Sequence, residues 1–123
     1  MMRDIQLDPL LLLDDEIIAE LREVMEEEFA DLISAFLNDL PVQLDSLQVA
    51  ITAGVAADVY QIAHKLKSSC GSIGAAQLAE RVRQLEQAGR QNALDGTAAL
   101  LAETRSVAQA TTVRLTAEVG RAG

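Results

Sequence analysis

Apolar residues recur every three or four positions along most of this chain, the spacing that gathers them on one face of an α-helix. The first such segment follows Asp14, a candidate N-cap, with Asp15 and Glu16 where acids favour a helix start. Ile17, Leu21, Val24 and Met25 then predict a helix over 15–25. Phe29, Leu32, Ile33, Phe36, Leu40, Leu44, Leu47 and Ile51 keep one face apolar as far as Gly54, which reads as a C-cap. Pro41 falls inside that run; it removes a backbone donor and crowds the preceding turn, so a kink or short break is expected there. Val59, Ile62, Ala63, Leu66 and Cys70 predict a third helix over 56–70, closed by Gly71 and Gly74. Leu78, Val82 and Leu85 predict a fourth over 75–88, stopping at Gly89. Leu100, Leu101, Thr104, Val107, Ala108, Thr111 and Leu115 mark the last, over 97–119.

Segments two to five, joined by short connections, predict an all-α fold: an antiparallel four-helix bundle, with the first helix covering one end. Other all-α arrangements have the same helix count. Composition agrees with a helical chain, with 20 Ala and 18 Leu against two Pro and 2% aromatic residues. At 123 residues the chain is read as one domain, with its core over about 10–118.

Several classes are excluded at this level. No stretch reaches the ~20 apolar residues of a membrane span. Asp4, Asp8, Asp14 and Asp15 surround the leucine run at 10–13 without a basic segment before it, so no cleaved leader is expected. The single cysteine, Cys70, suits a reducing cytoplasm. Six residues from His64, it would lie roughly 240° around a shared helix, too far to share a metal with it. The single buried-face pattern favours a monomer, and the initial Met with a complete bundle favours a free-standing protein.

The net charge of −9 argues against nucleic acid or an anionic membrane as partner. It is unevenly placed. Residues 1–63 carry a net −12, residues 64–90 a net +3 and residues 91–123 none. The basic island holds Lys65, Lys67, Arg81, Arg83 and Arg90, and it begins at the only histidine.

On the third helix His64 lies opposite the apolar stripe. At about 100° per residue, Tyr60, Lys67, Ser68 and Gly71 all fall within roughly 60° of it. A solvated histidine on a polar face is the ordinary reading of such a position. A lysine one turn along and small residues beyond the ring point further, because they leave room for a bulky group to approach the imidazole. Glycine at 71 would cost a helix about 0.5–1 kcal/mol relative to alanine, which suggests clearance unless Gly71 is simply the C-cap.

The segment Ala63-His64-Lys65-Leu66-Lys67-Ser68-Ser69-Cys70-Gly71-Ser72-Ile73-Gly74-Ala75 resembles the signature of histidine-containing phosphotransfer (HPt) domains. Phe36-Leu37-Asn38-Asp39-Leu40-Pro41 resembles the family's second helix, and Val82-Arg83-Gln84-Leu85-Glu86 its fourth. The resemblance implies that His64 is the phosphoacceptor at Nε2, that Lys67 offsets phosphoryl charge, and that Glu86 orients the imidazole. Antiparallel helices about a turn near 73–75 independently set His64 opposite the stretch 82–86, although Glu86 could instead pair with Arg83 or Arg90. One departure is Ser68, where most members carry glycine; it adds bulk beside the histidine and a hydroxyl that could donate to a phosphoryl oxygen.

The implied role is a phosphorelay intermediate, a phosphohistidine carrier without its own ATP site. It would exchange phosphoryl groups with receiver domains of response regulators or hybrid histidine kinases, with no cofactor and with magnesium held only by the receiver. No P-loop or glycine-rich nucleotide loop is present in the sequence. Receiver faces are carboxylate-rich, which the basic island complements. Tyr60, Lys65, Ser68, Gly71, Arg83 and Arg90 are the candidate partner contacts, together with apolar residues near the C-terminal end of the second helix. A helical adaptor that binds a signalling partner without chemistry is the alternative.

Overall fold

Asp14 starts the first helix through its side chain, whose Oδ1 accepts from the backbone N–H of Glu16 at 3.1 Å and of Ile17 at 3.3 Å. That helix, α1, spans Asp15–Met25 in a computed structural model that describes residues 11–121. Residues 1–10, which hold Asp4, Asp8 and the start of the leucine run, lie outside the described residues. A short 3₁₀ turn at Glu26–Glu28 leads into α2, Phe29–Ala53. Then follow α3, Ala56–Ile73, α4, Ala76–Arg90, and α5, Thr97–Arg121. Every regular element among the described residues is helical.

The four long helices close a ring. α2 packs on α3 and α5, α4 packs on the same two, and the diagonal pairs do not meet. This is the antiparallel four-helix bundle the periodicity predicts. Phe29, Ile33, Leu47, Val59, Leu78, Leu85, Leu101 and Leu115 are fully buried between the helices. α5 lines the core with threonines as well: Thr104 and Thr111 are wholly buried, and each hydroxyl donates to the carbonyl four residues back at 2.7 Å. A buried hydroxyl satisfied within its own helix costs the core little.

α1 covers the end of the bundle where α3 turns into α4. The backbone N–H of Asp14 donates to the carbonyl of Gly74 at 2.8 Å, and Ile17 packs over Gly74 so closely that a Cβ there would lie 3.2 Å from it. Gly74 itself sits at φ +82°, the left-handed C-cap of α3. From the other end of α1, Arg22 lies over the Phe29 ring and reaches buried Glu118 of α5 at 2.9 Å.

Four sequence expectations are corrected here. α2 runs from Phe29 to Ala53 without a break at Pro41. Pro41 is on the exposed face of that helix, where the carbonyl it leaves unbonded can turn to water. Val24 does not face inward; it is 76% exposed, because it lies about 120° around the helix from Ile18, the buried residue of α1, while Leu21 and Met25 pack against the core on the side of Ile18. α3 continues through Gly71 to Ile73, so Gly74 alone caps it. α4 likewise continues through Gly89 to Arg90, because Gly89 is a helix–helix contact and not a terminus.

Candidate functional site

The site is built on two antiparallel helices, α3 and α4, beside a level at which their backbones approach closely. A Cβ at Gly89 would meet the backbone nitrogen of Tyr60 at 2.6 Å and the carbonyl oxygen of Ala56 at 2.9 Å. Nothing larger than hydrogen fits between the backbones there. One turn further along each helix, this spacing brings Glu86 of α4 under His64 of α3.

Glu86 is the centre of the cluster. Its side chain is only 5% exposed, yet both carboxylate oxygens are occupied: Oε2 lies 2.6 Å from Nδ1 of His64, and Oε1 accepts from Nζ of Lys67 at 2.6 Å. The Arg90 guanidinium stands 4.0 Å from Oε2. Burial alone would push the Glu86 carboxyl up, but the hydrogen bonds from Lys67 and His64 outweigh it and hold the group below the ordinary carboxylate range. A carboxylate ionised at neutral pH beside Nδ1 makes that nitrogen the donor. The proton therefore sits on Nδ1, and the Nε2 lone pair remains on the half-exposed outer edge of the ring, whose side chain is 52% accessible.

Aromatic and cationic groups flank the imidazole on the other side. The Tyr60 ring stacks on His64 with centroids 5.7 Å apart and planes 20° apart, and Arg90 lies 5.3 Å over the Tyr60 centroid. Toward the C-terminal end of α3 the surface is open. Gly71 is exposed, and a Cβ added to it would meet nothing within 4 Å, so no packing inside this chain requires glycine there. The Ser68 hydroxyl is turned onto the backbone carbonyl of His64 at 3.4 Å. Ser68, Ser69 and Ser72 form one wall of an apolar groove completed by Leu21 and Met25 of α1 and by Leu32 and Phe36 of α2.

Of the residues singled out in sequence, the structure joins His64, Lys67, Glu86, Tyr60 and Arg90 into one connected cluster. It does not join the rest of the basic island to them. Arg83 is held by Glu80 of its own helix at 2.8 Å, and Arg81 pairs with Glu103 of α5. Lys65 is exposed and Gly71 bounds the open approach. The apolar residues near the C-terminal end of α2, Val49 and Ala50, line a separate groove with Val55, Asp58 and Ile62. Two features went unread in sequence: the stack of Arg90, Tyr60 and His64, and the engagement of Lys67 with Glu86. The i, i+4 spacing of Tyr60 and His64 was visible, but the Arg90 partner comes from another helix.

Comparison with known proteins gives concordant results. The family model of the Hpt domain matches residues 31–121. Among solved structures, the fold is similar to that of histidine-containing phosphotransfer protein B from Pseudomonas aeruginosa PAO1, at 32% sequence identity and a TM-score of 0.86. That likeness covers 89% of this chain and 96% of the other. No curated protein matches.

Proposed function

This chain belongs to the Hpt domain family, and is thus a phosphorelay intermediate of two-component signalling, and from that premise we propose that His64 carries the phosphoryl group on Nε2. The observation that carries this reading is the 2.6 Å contact between Nδ1 of His64 and a buried, ionised Glu86.

The chemistry follows from that contact. Nε2 attacks the phosphorus of a receiver aspartyl phosphate in line; the N–P bond forms, the bond from phosphorus to the aspartyl oxygen breaks, and the carboxylate leaves with its electron pair. Nδ1 keeps its proton throughout. The positive charge that develops on the ring is stabilised by Glu86, as a carboxylate stabilises the imidazolium of a catalytic triad. The reverse path loads a second receiver. Lys67 is positioned to turn from Glu86 to a phosphoryl oxygen once one arrives, with Arg90 close enough to Glu86 to replace part of its charge.

Hpt proteins are carriers, not kinases. We place the ATP and magnesium chemistry of the relay on its partners, with the receiver's own metal stabilising the transition state and this chain supplying position and charge. The receiver docks, in this reading, over the open end of α3, in the groove formed by Leu21, Met25, Leu32, Phe36 and Ser68. Among the described residues no helix is long and apolar enough to cross a membrane. We take the protein to act as a cytoplasmic monomer, without nucleic-acid or membrane partners.

Incubation with a phosphorylated receiver tests the assignment. The expected result is acid-labile, alkali-stable label on the wild-type chain and none on His64→Gln. A wild type that binds the receiver but takes no label is the outcome of an adaptor, and would overturn the phosphohistidine reading.

A further inference from the structure

A histidine on a helix surface rotates freely about its side-chain bonds unless something opposes it, and one hydrogen bond fixes a ring atom without fixing the ring plane. Glu86 holds Nδ1 of His64 at 2.6 Å. The plane of the imidazole is held by a second contact, the face of Tyr60, stacked at 5.7 Å between centroids and inclined by only 20°. Tyr60 is itself held by two contacts. Its ring lies under the Arg90 guanidinium at 5.3 Å, and its backbone is locked to α4 by the contact with Gly89, where no Cβ fits. Arg90 stands next to Gly89 in sequence, so one turn of α4 sets both the backbone and the ring of Tyr60.

We propose that Tyr60 is a positioning residue for phosphotransfer: stacked on His64 and itself in contact with Arg90, its ring holds the imidazole plane so that Nδ1 stays on Glu86 and Nε2 faces outward. This rests on the assignment of His64 as the phosphoacceptor. It differs from a docking role for Tyr60, because it acts in the free protein. Only the ring face is used, so phenylalanine should serve as well as tyrosine.

Partner-free phosphorylation separates these roles. With phosphoramidate as donor, Nε2 attacks phosphorus, the P–N bond breaks and ammonia leaves; no receiver takes part. Three variants, Tyr60→Phe, Tyr60→Leu and Tyr60→Met, are compared with the wild-type chain by initial labelling rate and by the ¹⁵N resonances of the His64 ring, with thermal unfolding to show that each is folded. Tyr60→Phe should match the wild type. Tyr60→Leu and Tyr60→Met should label roughly three- to tenfold more slowly, the span of one aromatic pair with an exposed cation–π contact, and their ¹⁵N shifts should move from the Nδ1–H form toward the mixture of a free imidazole. Folded Leu or Met variants with wild-type rate and ring resonances would overturn the inference while leaving His64 as the acceptor. If the wild type took no label at His64, the phosphohistidine assignment would fall, and this inference with it.

Discussion

Glu86 is where a single residue decides most. A carboxylate with both oxygens occupied at 2.6 Å in a nearly closed position is favourable only while it is ionised and both partners are present. Because its folded-state carboxyl is held below its ordinary value of 4.5, its contribution to stability is present above that value and is lost as the pH falls through the lower folded value. Glu86→Gln should therefore destabilise the fold at neutral pH by about 1 kcal/mol, a modest figure because Lys67 and His64 are both partly solvated. That deficit should shrink as the medium is acidified below pH 4.5. Urea midpoints for both chains at neutral and acid pH check this; a deficit independent of pH would mean that Glu86 is not held ionised. The sequence offered Glu86 as either orienting the imidazole or pairing with Arg83 or Arg90. Arg83 is engaged by Glu80 and Arg90 stands at the limit of contact, while Oε2 of Glu86 lies 2.6 Å from Nδ1 of His64.

Two glycines separate the roles of α3 and α4 at the scale of elements. Both lie inside helices; by sequence alone Gly89 reads as a helix stop, and Gly71 as either a stop or a clearance beside His64. The surroundings distinguish them: Gly71 has open space above it, whereas Gly89 has the Tyr60 backbone at 2.6 Å from where a Cβ would be. The same substitution should therefore act with opposite sign. Gly71→Ala should stabilise the free protein by about 0.5–1 kcal/mol through helix propensity alone. Gly89→Ala should destabilise it by about 1–3 kcal/mol, because two packed backbones must separate. Denaturant unfolding of the two variants measures both. If Gly89→Ala proved as stabilising as Gly71→Ala, the close approach of α3 and α4 would not exist. Conversely, the glycine at position 71 costs the helix stability and fills no internal packing need, which supports the proposal that this face is kept clear for a partner.

At the scale of the whole molecule, the docking surface we propose is one that no single helix owns. The groove beside Ser68 draws Leu21 and Met25 from α1, Leu32 and Phe36 from α2 and three serines from α3. Leu32, half-buried in that wall, is the informative position. Leu32→Glu should slow transfer from a phosphorylated receiver by about tenfold or more, the cost of a charged group in the centre of a protein contact. Labelling by phosphoramidate should be affected far less. Equal slowing of both would place the damage in the fold or at His64, and no slowing of either would place the receiver elsewhere. The sequence also offered apolar residues near the C-terminal end of α2 as partner contacts, and Val49 and Ala50 there line a separate groove. Since α3 runs back along α2 from Gly54, the residues beyond His64 lie beside the first half of α2, not its end.

Local signals settled much of this protein in advance, because they depend on neighbours within a turn or two. The apolar spacing of Phe29 to Ile51 or of Val59 to Cys70 made helices, the side chain of Asp14 started one, and the turn at Gly74 set His64 opposite the stretch that contains Glu86. What the chain alone could not give were distances between backbones. A glycine that ends a helix and a glycine that admits another helix look alike in sequence, so Gly74 and Gly89 were read the same way. The +3 excess after residue 63 gave a charge, but not that Arg81 and Arg83 are taken up by Glu103 and Glu80 while Lys67 and Arg90 gather at Glu86. Arg83 with Glu80 is a contact within α4, but the pair of Lys67 with Glu86 and the stack of Tyr60 on Arg90 are decided when α3 and α4 pack, since such contacts fall off over a few ångströms and those ångströms are set by the tertiary contact at Gly89.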